Sequence, residues 1–138
     1  MEYRCELDAN GEGGFLVRFP DVPEALTEGA TRQEATVNAS DALEVALLGR
    51  MKDGDDLPPP SYRGGAPVPI AAQAAAKLAF YSAFRRSGLS QSALARKLGK
   101  DEAEVRRMLD PYHATKLPAL DEALRALGQR LVVSVEAA

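Results

Sequence analysis

Arg106 and Arg107 are the side chains best equipped for chemistry in this chain, and that chemistry is recognition rather than bond making. A guanidinium offers a planar fork of donors that fits a phosphate or the edge of a guanine. Three more polar residues belong with them: Gln91, Glu102, whose carboxylate can accept from a cytosine amino group, and Lys116, which can neutralise a phosphate. Catalytic sets are poorly represented. Glu6, Asp8, Asp41 and Glu44 are the carboxylates available to converge on two Mg²⁺ ions, as nuclease chemistry demands. Glu44, however, follows Asp41 by three residues on an otherwise polar helical face, the pattern of solvated charges. A single histidine, His113, rules out most acid–base and nucleophilic constellations and reads as a solvated loop residue. The expectation is no catalytic residue, no metal and no cofactor.

The elements that must position the arginines lie in residues 89–109. Ser90 is a helix cap, followed by Ala93, Leu94 and Leu98 at the 3–4 spacing of one buried face. Gly99 ends that helix, because glycine enters the left-handed region at little cost. Asp101 caps a second helix with Val105, Met108 and Leu109 inward, leaving Glu102, Glu104, Arg106 and Arg107 as its polar positions. Two short helices joined by a tight turn form a helix-turn-helix, whose second helix enters the DNA major groove. Leu89-Ser90-Gln91, Leu94-Ala95 and Leu98-Gly99 resemble the phage-repressor (Xre/Cro) version of that motif. Glu102 and Glu104 depart from its usual pattern, since carboxylates there face phosphates or base edges.

Charge divides the chain of 138 residues in two. Residues 1–66 carry six Lys/Arg against thirteen Asp/Glu, a net of −7; residues 67–138 carry eleven against seven, a net of +4. An acidic module suits a basic protein partner and a basic module suits phosphates. No apolar run approaches the ~20 residues that span a bilayer, and the N-terminus lacks the apolar core of a signal peptide. The lone Cys5, alternating with Tyr3 and Leu7, reads as a small buried residue in a protein of the reducing cytoplasm.

In the acidic half, residues 3–7 alternate as a strand, residues 8–14 form a turn, and Phe15, Val17 and Phe19 share one face of a second strand. Residues 20–23 form a stiff proline loop and 25–29 a short third strand. Thr31 and Glu34 make a capping box for a helix running to about Met51, with Ala35, Ala39, Ala42 and Ala46 flanked by Leu43 and Leu47. An extended Leu57-Pro58-Pro59-Pro60-Ser61 follows. Together Tyr3, Gly13-Gly14-Phe15, Phe19-Pro20-Asp21-Val22-Pro23, Glu28-Gly29, the capped Ala-rich helix and the proline segment resemble the HicB antitoxin family. The resemblance implies a truncated RNase H-like domain without a nuclease site. It also implies a HicA-like partner, a small basic ribonuclease that this acidic domain covers, and a second half that represses the operon.

The expected fold is therefore α+β: a β-β-β-α, partial RNase H-like domain over residues 1–61, a linker or edge strand over 62–70, and an all-α helix-turn-helix domain over 71–138 with a terminal β-strand. Residues 71–86 predict a helix with Ala75, Leu78, Ala79 and Ser82 inward, and Phe80, Tyr81 and Phe84 making it apolar nearly all round. Pro118 opens a last helix with Leu120, Ala123, Leu124 and Leu127 inward and Gly128 at its end. Residues 131–135 predict a strand that finds no partner in this half, so it is expected to pair with a second chain in a homodimer or larger oligomer. The functional expectation is an antitoxin that occludes a HicA-type toxin and binds operator DNA, with no membrane partner. The toxin-contacting residues are not read from the sequence. The competing reading is an orphan transcriptional regulator whose first half senses a ligand.

Overall fold

The computed structural model describes residues 2–137, an α+β chain that divides into two compact units, Met1–Ala75 and Ala76–Ala138. In the first unit, strands β1 (Tyr3–Ala9), β2 (Phe15–Arg18), β3 (Leu26–Gly29) and β4 (Ala66–Val68) form one antiparallel sheet in the order β3-β2-β1-β4. Helix α1 (Arg32–Lys52) packs on it. Alternation along β1 and β2 puts Tyr3, Cys5 and Val17 in the core with Phe19 just beyond. At the hairpin tip the Asn10 side-chain oxygen accepts from Glu12 N (2.8 Å) and Gly14 N (3.0 Å), which sets the loop without apolar contacts.

Thr31 Oγ1 accepts from Glu34 N at 3.0 Å, the hydroxyl half of the expected capping box. The buried line of α1 is Ala35, Ala39, Leu43, Leu47 and Met51, whereas Ala42 and Ala46 are half-buried. The small residues fall where the helix comes closest to β3: a Cβ on Gly29 would lie 2.3 Å from Ala35 N. The stiff loop after β2 carries Val22 and Ala25 into the core.

The extended proline segment is tied down twice. Tyr3, itself 2% exposed, donates its hydroxyl to Pro58 O at 2.6 Å. The Asp21 carboxylate accepts from Ser61 N (3.0 Å), Tyr62 N (2.8 Å) and Ser61 Oγ (2.9 Å). These bonds, led by that from Tyr62 N, hold the Asp21 carboxyl below its ordinary value. The chain can then turn back, and β4 pairs with β1 in the register Tyr3↔Val68 and Cys5↔Ala66. Cys5 is buried and unpaired, and desolvation pushes its thiol up, as suits a packing residue.

The second unit holds α2 (Ala72–Ser87, whose first turn precedes the division), α3 (Gln91–Leu98), α4 (Glu102–Met108) and α5 (Leu117–Ala126). Ala76, Phe80 and Ala83 of α2 meet Leu94 and Ala95 of α3, Val105 and Met108 of α4, and Leu120, Ala123 and Leu124 of α5. Of the stripe expected for α2, Leu78 is fully buried, whereas Ala75, Ala79 and Ser82 are only half-buried. An almost wholly apolar helix gives its own phase no signal, so its neighbours set it. The terminal strand needs correction as well. Residues 131–137 form no strand, and Val132, Val133 and Val135 are 76%, 69% and 96% exposed. Among the described residues the second unit has no strand, so β propensity finds no ladder within one chain. Leu131 N instead donates to Asp121 Oδ1 at 3.0 Å.

Burial, aided by the charge of Asp21, pushes the Tyr3 hydroxyl from 10.0 up to about 12. A raised folded value means that its share of stability is complete below pH 10 and is lost as pH climbs toward 12. The share at stake is about 2 kcal/mol. Tyr3→Phe is expected to cost about 1 kcal/mol at pH 7, by orphaning the Pro58 carbonyl. That deficit relative to wild type should shrink between pH 10 and 12, as followed by urea unfolding with far-ultraviolet circular dichroism.

Candidate nucleic-acid interface

Local chemistry builds the two helices that carry the arginines. Ser90 Oγ accepts from Ala93 N at 3.1 Å and starts α3. Gly99, at φ +67°, ends it: Gly99 N donates to Arg96 O (3.2 Å) and Lys100 N to Ala95 O (3.0 Å), which satisfies two orphan carbonyls. Asp101 Oδ1 accepts from Glu104 N at 2.9 Å and starts α4 at once. Residues 99–101 are therefore both the stop of one helix and the start of the next. Leu94, Val105 and Met108 anchor the pair from beneath.

Outward lie the residues named from the sequence. Arg106 and Arg107 are exposed in the last turn of α4 and engage no carboxylate among the described residues. Glu102 is exposed at the first position of α4, one turn before Arg106. Gln91 is half-buried at the first position of α3. Lys116 is exposed just before α5, where its carbonyl accepts from Ala119 N and Leu120 N at 3.1 and 3.2 Å. Glu104 behaves differently from Glu102. It is half-buried and shares Lys100 with Glu122, Lys100 Nζ lying 3.7 Å and 3.8 Å from the two carboxylates. Lys100 thus offsets part of the negative charge of the two carboxylates.

Three of the four carboxylates weighed for metal chemistry are engaged elsewhere, and Asp41 is exposed on α1. Glu6 pairs with Arg18 and accepts from the Tyr62 hydroxyl, Asp8 lies 3.5 Å from Arg18, and Glu44 accepts weakly from Ala71 N at 3.4 Å. Among the described residues no three His, Cys, Asp or Glu side chains are grouped to hold a metal ion.

One polar residue at this face was missed from the sequence. Lys77 on α2 is 2% exposed, and its Nζ donates to Asp110 O (2.7 Å), His113 O (2.6 Å) and Thr115 Oγ1 (2.9 Å), with Arg107 O at 3.5 Å. Desolvation lowers the Lys77 pKa and the nearby Asp110 charge opposes that shift. Every partner is an acceptor, so the ammonium, with three donors, is the form the site fits. His113 Nδ1 also lies 3.1 Å from Thr115 Oγ1, which ties the one histidine into the same knot. The available signal was that Lys77 is the sole charged residue between positions 71 and 84.

Residues 2–79 match the family described as "HicB_like antitoxin of bacterial toxin-antitoxin system". The chain belongs to the HicB-like antitoxin family. Similarity to HicB antitoxins extends well past the matched region. Antitoxin HicB 1 of Photorhabdus laumondii is 38% identical over 136 residues, covering 99% of this chain and 88% of the relative. Antitoxin HicB of Escherichia coli K12 is 38% identical over 133 residues, covering 95% and 96%. Antitoxin HicB of Pseudomonas fluorescens is 33% identical over 141 residues, covering 100% and 96%. These HicB relatives support an antitoxin role, and with it a regulatory rather than enzymatic one. Among the described residues no helix is long and apolar enough to cross a membrane.

The turn offers a direct test of local energetics in this HicB-family chain. A Cβ on Gly99 would meet nothing within 4 Å, so only its backbone conformation resists substitution. Gly99→Ala is expected to destabilise the second unit by about 1 kcal/mol, and Gly99→Asn by less, since asparagine tolerates the left-handed region. Thermal unfolding of the two variants against wild type checks that order.

Proposed function

We propose that the chain is an antitoxin that binds a HicA-type toxin through its acidic first unit and operator DNA through α3 and α4. The observation that carries the DNA reading is the pair Arg106 and Arg107, exposed on a helix that is capped, anchored by Val105 and Met108, and set one three-residue turn from α3. In this reading α3–turn–α4 is a helix-turn-helix. Arg106 and Arg107 contact phosphates or guanine edges, with Glu102 beside them able to accept from cytosine. Gln91 at the head of α3 and Lys116 before α5 approach the backbone on either side. The net +4 of residues 67–138 supports phosphate binding, and Lys100, shared between Glu104 and Glu122, reduces one source of repulsion.

For the toxin, support comes from membership in the HicB-like family and from the net −7 of residues 1–66, which attracts a basic protein. The mechanism is stoichiometric: the antitoxin covers the toxin's RNA-binding surface and itself performs no chemistry. Operators of two-fold symmetry call for two copies of the DNA-binding unit. The exposed Val132, Val133 and Val135 are the segment we assign to contact between copies, in the cytoplasm.

Two experiments test this. Arg106→Ala combined with Arg107→Ala should weaken binding to the DNA upstream of the gene by ~10–100-fold and reduce the salt slope by about two. Unchanged affinity would reject these contacts. Affinity capture of the chain from its native host should recover a small basic protein, and deletion of the gene should impair growth. Recovery of none, with normal growth, would reject the antitoxin–toxin pairing.

A further inference from the structure

The strongest unexplained feature of the second unit is a buried ammonium whose partners among the described residues are three carbonyls and a hydroxyl. Burying a charge costs several kcal/mol unless hydrogen bonds replace the lost water. Here they come from one stretch of chain. Arg107 O belongs to the last turn of α4, and Asp110 O, His113 O and Thr115 Oγ1 belong to the loop that runs from α4 to α5. Lys77 itself stands on a different helix, thirty residues or more away in sequence. No backbone ladder orders residues 110–116. Inside the loop, local bonds such as Tyr112 N to Asp110 Oδ1 (2.9 Å) and Thr115 N to His113 O (2.9 Å) make short turns. The bonds from Lys77 connect those turns to α2.

Both ends of this loop carry residues of the proposed DNA face: Arg107 just before it and Lys116 as its last residue. A positive charge at the C-terminal end of α4 also matches the negative end of that helix's dipole. We propose that Lys77 is a positioning residue for DNA recognition: its buried ammonium fixes the end of α4 and the 110–116 loop so that Arg107 and Lys116 are presented together. Lys77 touches no nucleic acid, because it is 2% exposed. The inference rests on the DNA-binding reading above and adds a specificity role to a residue outside the interface.

The test uses the full chain with two duplexes, one carrying the region upstream of its gene and one of unrelated sequence. Lys77→Met keeps the length and apolar stem while removing the donors and the charge. Affinity for the upstream duplex is expected to fall ~10–100-fold, the range that corresponds to an unsatisfied buried acceptor set. Affinity for the unrelated duplex should change by less than about three-fold, since the exposed cations remain. A purely structural loss would lower both affinities by the same factor, and that result overturns the proposal, as does an unchanged ratio. Thr115→Val provides the second variant should Lys77→Met not fold. It removes one acceptor at nearly constant volume, and the same ratio should fall by a smaller factor while the thermal unfolding midpoint drops by less than for Lys77→Met. An unchanged ratio for a folded Thr115→Val overturns the proposal equally. Failure of the wild-type chain to prefer the upstream duplex would instead sink the DNA-binding reading itself.

Discussion

The second unit depends on a charge that water cannot reach. Lys77 sits in a helix whose other buried residues are Ala76, Leu78, Phe80, Tyr81 and Ala83, where an ammonium without partners would be intolerable. Its three short bonds to Asp110 O, His113 O and Thr115 Oγ1 make the loop after α4 a required part of the core. The loop can settle only where those oxygens meet the ammonium. The last turn of α4 is held where the loop leaves it. An apolar side chain at position 77 could fill the same space but would leave the loop carbonyls free to turn toward solvent.

The first unit solves a related problem with an anion. Asp21, in the loop after β2, gathers two backbone amides and one hydroxyl from residues 61 and 62. That contact converts a polyproline-like tail, which has no internal hydrogen bonds, into a fixed approach for β4. Arg4 helps from the other side, donating to Gly64 O and Gly65 O at 2.7 and 3.0 Å. The chain comes close enough there that a Cβ on Gly65 would lie 1.8 Å from Cys5 O, at a backbone φ of +56°. Arg50 and Glu24 add a two-point ion pair between α1 and the loop before β3. In both units one ionic side chain organises a segment that lacks regular structure of its own.

Charge separation gives these two constructions different surfaces. Thirteen carboxylates in residues 1–66 and eleven cations in residues 67–138 are not interchangeable, because long-range attraction selects partners by sign before any contact forms. Membership in the HicB-like antitoxin family fits a regulatory role for the chain.

Much of this was legible from residue order alone. Alternation marks β1 and β2, the 3–4 spacing marks α3 to α5, and Thr31, Ser90, Asp101 and Gly99 mark helix ends within a residue of where they fall. Those features are set by bonds between near neighbours, so a short window contains their cause. The exposure of Arg106, Arg107 and Glu102 followed in the same way, from the positions left over once the apolar stripe is assigned, and that of Lys116 from its place in a polar loop. Tertiary structure decided the rest. It chose which stripe of the apolar helix α2 turns inward, paired Glu104 with Lys100, gave β4 its place beside β1, and left residues 131–137 without a ladder. It also buried Lys77 and found its acceptors thirty to thirty-eight residues away. Such contacts join groups distant in sequence, and their energy comes from exclusion of water by the assembled core, a condition that does not exist until the chain has folded.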